Sequence, residues 1–68
     1  MGVKNKLKEI RLKEHLMDNK SEFAKMIGVN IQTYTKWENG DTVPPIERAL
    51  KVSEKLNKTV NDIWYLEK

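Results

Sequence analysis

The sequence predicts an all-α fold, a compact five-helix domain, and three observations carry that prediction. Apolar residues recur at helical spacing along the chain, no segment keeps a clean period-two alternation, and short turn signals separate the periodic stretches. A chain of 68 residues has room for one small domain and none for a second, sensing or catalytic one. A core of that size supplies only about 3–5 kcal/mol of stability, so many such chains gain more from a disulfide, a metal or a partner subunit.

Val3, Leu7, Ile10 and Met17 mark one face of a first helix over residues 4–16, with lysines and glutamates on its other sides. Asp18-Asn19 breaks that pattern and offers a side-chain oxygen to the next helix start. Phe23, Ala24 and Ile27 form the apolar face of a second helix over 20–27. Gly28 follows where this helix must stop, because glycine takes the left-handed conformation cheaply. Asn30 is an N-cap for a third helix that runs to Asn39 and turns Tyr34 and Trp37 inward. Asn39-Gly40-Asp41 ends it as a turn, and Pro44-Pro45 forces an extended connection. Ile46, Ala49, Leu50, Ser53 and Leu56 define the inward face of a fourth helix, with Asn57 as its C-terminal cap. Thr59 or Val60 opens a short fifth turn or helix that presents Ile63 and Trp64.

Composition removes several classes of function. Without cysteine there is no disulfide, Cys-ligated zinc or cysteine nucleophile, and the single histidine, His15, rules out a multi-histidine metal site. No metal or cofactor is therefore expected. No Ser, Asp or Glu stands in a recognised catalytic relation to His15, and no phosphate-binding loop is present, so neither catalytic residues nor a small-molecule ligand are expected. No apolar run is long enough to span a bilayer and no secretory signal is evident, so a cytoplasmic chain without a membrane partner is expected. Charge adds a direction. Residues 1–36 hold eight Lys/Arg and four acids, a balance of +4, while residues 37–68 hold five and six, a balance of −1. That asymmetry suits an anionic partner met from one side, nucleic acid before a membrane surface, although an ordinary solvated helix surface explains the charge equally well.

The segment from Lys20 to Gly40 sharpens this. Two short helices joined through a glycine-containing turn form a helix-turn-helix unit. Ala24 sits where the two helices cross, Gly28 at the turn, Val29 as the turn's anchor, and Phe23, Ile27, Tyr34 and Trp37 face inward. The stretch KSEFAKMIGVNIQTYTKWENG resembles the helix-turn-helix of the phage repressor and Cro superfamily, the Xre-type regulators. The likeness extends to LKEIR at Leu7–Arg11, WENG at Trp37–Gly40, the helix following Pro44, and VNDIWYLE at Val60–Glu67. Two features depart from the common pattern. The link from Arg11 to Ala24 is longer, and Tyr34 takes a position where a branched aliphatic residue is usual.

The resemblance implies that the third helix enters the major groove of double-stranded DNA. It places Asn30, Ile31, Gln32, Thr33, Thr35 and Lys36 at base-contacting positions. Gln32 suits an adenine N6/N7 edge, Lys36 suits guanine O6/N7, and Ile31 and the threonine methyls suit thymine methyls. Asn19, Lys20, Asn39, Thr42 and Lys6 are the expected phosphate contacts. Arg11 and Glu38 are expected to form a structural ion pair, and the same arginine could also face a phosphate. Trp64, Tyr65 and Leu66 are expected at a homodimer contact, and a two-fold dimer would place the recognition helices about 34 Å apart on a palindromic operator. The implied function is a sequence-specific repressor of bacterial or phage type. Two alternatives stay open: the antitoxin of a toxin–antitoxin pair and a protein-interaction module that does not bind DNA; a basic amphipathic helix over 3–17 lying on an anionic membrane is disfavoured by its modest apolar residues and several glutamates.

Overall fold

A computed structural model of the chain describes residues 2–67. In order they form β1 (Val3–Asn5), α1 (Leu7–Glu9) running on into a π-helical segment (Ile10–Glu14), α2 (Lys20–Ile27), α3 (Ile31–Asn39), α4 (Ile46–Lys55), α5 (Val60–Ile63) and β2 (Trp64–Leu66). The helices are the ones the periodicity predicts. The all-α expectation needs correcting at the ends, where β1 and β2 pair antiparallel with Val3 opposite Leu66, Lys4 opposite Tyr65 and Asn5 opposite Trp64. Strands of three residues are too short for alternation to register, and strand formation here follows from the pairing itself. Val3 packs half-buried against the core in the strand, where the helical spacing had placed it on the first helix. That helix therefore starts at Leu7. Asn5 marks the change of conformation: its Oδ1 accepts from the backbone of Leu7 at 3.0 Å and its Nδ2 donates to the Trp37 carbonyl at 2.7 Å.

The end of the first helix absorbs the long link to α2. His15 N–H donates to the Ile10 carbonyl at 3.1 Å, a span of five residues, and Met17 N–H reaches back to the Arg11 carbonyl at 2.9 Å. A helix that accommodates an extra residue widens into such a turn. Leu16 lies just beyond it at φ +53 with 82 % of its surface exposed, a conformation that costs a leucine energy.

Leu7, Ile10, Phe23, Ala24, Ile27, Val29, Tyr34, Trp37, Ala49, Val52, Leu56, Ile63 and Trp64 make one continuous core, with Val3, Met17 and Val60 at its margin. Phe23 and Tyr34 meet edge to face at its centre, ring centroids 5.5 Å apart. On α4 the buried stripe is Ala49, Val52, Ser53 and Leu56. Ser53 satisfies its hydroxyl by donating to the Ala49 carbonyl at 2.7 Å. Ile46 and Leu50, expected inside, are instead 69 % and 54 % exposed. They lie beside the stripe centred on Val52, and Leu50 borders an open cavity with Val60 and Asn61 of α5. Trp64 is a second correction. It is 6 % exposed and fills the core, so it is withdrawn from any contact with a second copy, while Tyr65 and Leu66 stay outside.

Leu7→Ala should cost about 2–5 kcal/mol in urea denaturation, because it empties a fully buried site. Leu50→Ala should change stability by no more than about 0.5 kcal/mol if the monomer is measured. Equal losses at the two positions would contradict the placement of the α4 stripe.

Candidate nucleic-acid interface

The α2–turn–α3 unit is fixed at each end by its own side chains. Asn19 Oδ1 accepts from Ser21 N–H at 2.8 Å and Glu22 N–H at 3.2 Å, which satisfies donors that open α2. Gly28 ends α2 at φ +83, where its N–H and that of Val29 return to the carbonyls of Lys25 and Ala24. Val29 then drops into the core. Asn30 Oδ1 accepts from Thr33 N–H at 2.8 Å and so starts α3. Gly40, also at φ +83, closes it.

α3 has a buried back and an open front. Tyr34 and Trp37 are buried, whereas Ile31, Gln32, Lys36 and Asn39 are exposed. Thr33 and Thr35 are half-buried at the edges, and the Thr35 hydroxyl already donates to the Ile31 carbonyl at 2.8 Å. Ile31 with Thr35, and Gln32 with Lys36, are each four residues apart, so four of the six expected base-contacting residues form one surface patch. Thr33 instead lines an open cavity of about 380 Å³ beside the turn, together with Gly28, Asn30, Trp37 and Arg48.

Behind that front lies a polar cluster. Arg11 Nε donates to Glu38 Oε1 at 3.1 Å, and both side chains are only 4 % exposed. The Tyr34 hydroxyl donates to the same oxygen at 2.7 Å, and Lys20 Nζ stands 3.3 Å from Glu38 Oε2. Arg11 Nη1 donates at 2.9 Å to the carbonyls of both Met17 and Asp18, so it also holds the link that precedes α2. Among the described residues no buried side-chain nitrogen or oxygen is left without a partner. Burial alone would raise the Glu38 carboxyl, but the hydrogen bonds from Tyr34, Arg11 and Lys20 outweigh it and hold the group below its ordinary range. Burial and the neighbouring carboxylate push the Tyr34 hydroxyl far above an ordinary tyrosine. For Arg11 burial acts the other way, and the bond to Glu38 overcomes it to raise the guanidinium further.

Asn19 and Lys20 lie together at the start of α2, and Lys20, half-buried, spans Glu38 and solvent. Asn39 and Thr42 are exposed at the far end of α3, where Asp41 and Thr42 N–H return to the Lys36 carbonyl. Lys6 is placed apart from this group, its ammonium 5.7 Å from the Tyr65 ring centre. His15 is half-buried against Phe23, ring centroids 5.5 Å apart. The sequence reading missed Tyr34 and Lys20 as partners of Glu38. The four-residue spacing of Tyr34 and Glu38 was a usable signal, whereas nothing in the sequence pattern brought Lys20 to that carboxylate. Among the described residues no three His, Asp or Glu side chains gather into a metal-binding group, and no helix is long and apolar enough to cross a membrane.

A helix-turn-helix family model matches residues 7–63. The chain belongs to the Xre/Cro-like helix-turn-helix family. It is also 34 % identical over 65 residues, 96 % of each chain, to a Bacillus subtilis (strain 168) protein named uncharacterized HTH-type transcriptional regulator YgzD. In this member of the helix-turn-helix family the two strands lie just outside the matched residues, so the sheet clips the flanks of the family core together.

A carboxyl with a depressed folded pKa adds stability that is present above its ordinary value near 4.5 and lost as pH falls through the folded value. The urea midpoint of this protein should therefore fall as pH drops below that ordinary value. The double variant Arg11→Met with Glu38→Gln, in which neither group titrates, should show a smaller fall. An identical acid profile would remove Glu38 as a source of the pH dependence.

Proposed function

We propose that the chain is a sequence-specific double-stranded DNA-binding transcriptional repressor that lays α3 in the major groove and acts as a homodimer on a palindromic operator. The observation that carries this reading is the outward row of exposed Ile31, Gln32 and Lys36 with half-buried Thr35, on a helix whose opposite side is locked by Tyr34, Trp37 and Glu38. Base readout needs side chains held on a rigid element, because a loosely held helix would spend binding energy on its own ordering. Gln32 offers both a donor and an acceptor and supplies the strongest discrimination in the row, while Lys36 adds charge and a guanine contact. Family membership and the name of the Bacillus relative support the same reading.

A homodimer would double the readout, and the apolar side chains left outside the core provide surface for it. Ile46 and Leu50 lie one turn apart on α4, and Tyr65 and Leu66 lie on β2. Sedimentation of Leu50→Glu and of Leu66→Glu beside the unchanged protein should turn a dimer into a monomer in one of the two. A sedimenting monomer in all three would remove the dimer.

Selection of bound sites from a random duplex pool tests the whole reading and should return two half-sites one helical turn apart. Gln32→Ala should weaken binding by about 1–3 kcal/mol and relax preference at one base position. Uniform weakening across all sequences would exclude Gln32 as a base reader, and no enrichment at all would sink the DNA reading.

A further inference from the structure

The cations counted in the first half of the chain leave out a pair that the fold brings close to the turn between α2 and α3. Arg48 and Lys51 sit three residues apart on α4, and with Lys55 they border the turn between α2 and α3. Arg48, Lys51 and Lys55 line an open trough of about 280 Å³ that has Gly28 and Val29 on its other side. This trough shares Gly28, Val29 and Arg48 with the cavity that reaches Asn30 and Thr33 at the start of α3. The surface is therefore continuous from the cations of α4 to the first turn of the helix proposed to read bases.

The three cations are not equivalent. Lys55 Nζ stands 3.2 Å from the point a Cβ on Gly28 would occupy, above the carboxyl end of α2, where a cation offsets the helix dipole. Its charge stands against the end of α2. For Arg48 and Lys51, no carboxylate among the described residues comes within 4.0 Å. Glu47 has the spacing to pair with Lys51 and does not reach it. Two exposed cations without acidic partners are thus held beside a groove at the edge of the reading face.

Their position along α3 gives them a specific use. Lys20 stands at the carboxyl end of α3, bridged to Glu38, whereas Arg48 stands at the amino end beside Asn30 and Thr33. A helix of nine residues is about 13 Å long. The major groove is about 12 Å wide and admits such a helix, so cations held beside its two ends are spaced to meet different phosphates of the duplex. We infer that Arg48 and Lys51 form a second backbone clamp, which grips duplex phosphates separate from those met by Lys20. Clamping from both ends fixes how deeply α3 sits and in which register, and the contacts themselves carry no sequence information. The inference rests on the DNA-binding reading of α3.

Salt titration of duplex binding tests it. Each phosphate contact contributes about 0.9 to the negative slope of log affinity against log salt. The double variant Arg48→Gln with Lys51→Gln should lose about 1.8 from that slope, and its preference among selected sites should be unchanged. The control pair Lys8→Gln with Lys13→Gln removes the same net charge from the first helix and should leave the slope as it was. An unchanged slope in the α4 variant overturns the clamp, as does an equal loss in the control pair, which would make net charge alone responsible. A flat slope in the unsubstituted protein overturns the DNA reading together with the clamp, and so separates the two failures.

Discussion

The buried pairing of Arg11 with Glu38 is the contact on which the rest of the arrangement depends. It joins the first helix to the penultimate residue of α3, and the Tyr34 hydroxyl and the Lys20 ammonium complete the carboxylate's coordination. Enclosing two charges costs several kcal/mol each, and the mutual attraction offsets that cost only when the remaining hydrogen-bonding positions are filled. Here the protein fills them with backbone as well as side chains, since the Met17 and Asp18 carbonyls take the Arg11 Nη1. One guanidinium thereby sets the tilt of α3, the path of the preceding link and the place where α2 begins. An apolar pair of similar volume could stabilise the core as well, but it would not impose those three placements together.

Tyr34 shows how a departure from a common pattern can be compensated. A branched aliphatic residue at its position would bury without needing a partner, whereas a buried phenol needs one. The carboxylate one helical turn along meets that need, and the ring meets Phe23 edge to face. The result is an α3 whose hidden side is held by a hydrogen bond and ring packing together, leaving its open side free of structural duties apart from the Thr35 hydroxyl.

Much of the fold was legible in the sequence because its signals are local. The periodicity of α2, the caps Asn19 and Asn30, and the glycines at positions 28 and 40 all act within a few residues, and each lies where the spacing placed it. The strands were invisible because pairing of Val3 with Leu66 is non-local and only three residues long. Ile46 and Leu50 were misplaced for another reason. They are apolar at helical spacing, and only the tertiary arrangement decides which of two adjoining stripes on α4 meets the core. Trp64 and its neighbours were similar: three large residues in a row give no sign of which will be taken inside until tertiary packing draws in Trp64 and leaves Tyr65 and Leu66 out. The candidate site divides along the same line. The face of α3 follows from its own periodicity, but the approach of Arg48 to Asn30, and of Lys20 to Glu38, depends on how helices distant in sequence are packed.

The widened end of the first helix has a consequence for how such a domain can vary. The extra length between Arg11 and α2 is taken up in a single loose turn, with Leu16 thrown outward and Met17 returned to the core margin. Arg11, upstream of that turn, and Phe23, downstream of it, keep their partners. The turn works as an expansion joint. A change of length at that point can therefore be absorbed locally, without shifting the exposed face of α3.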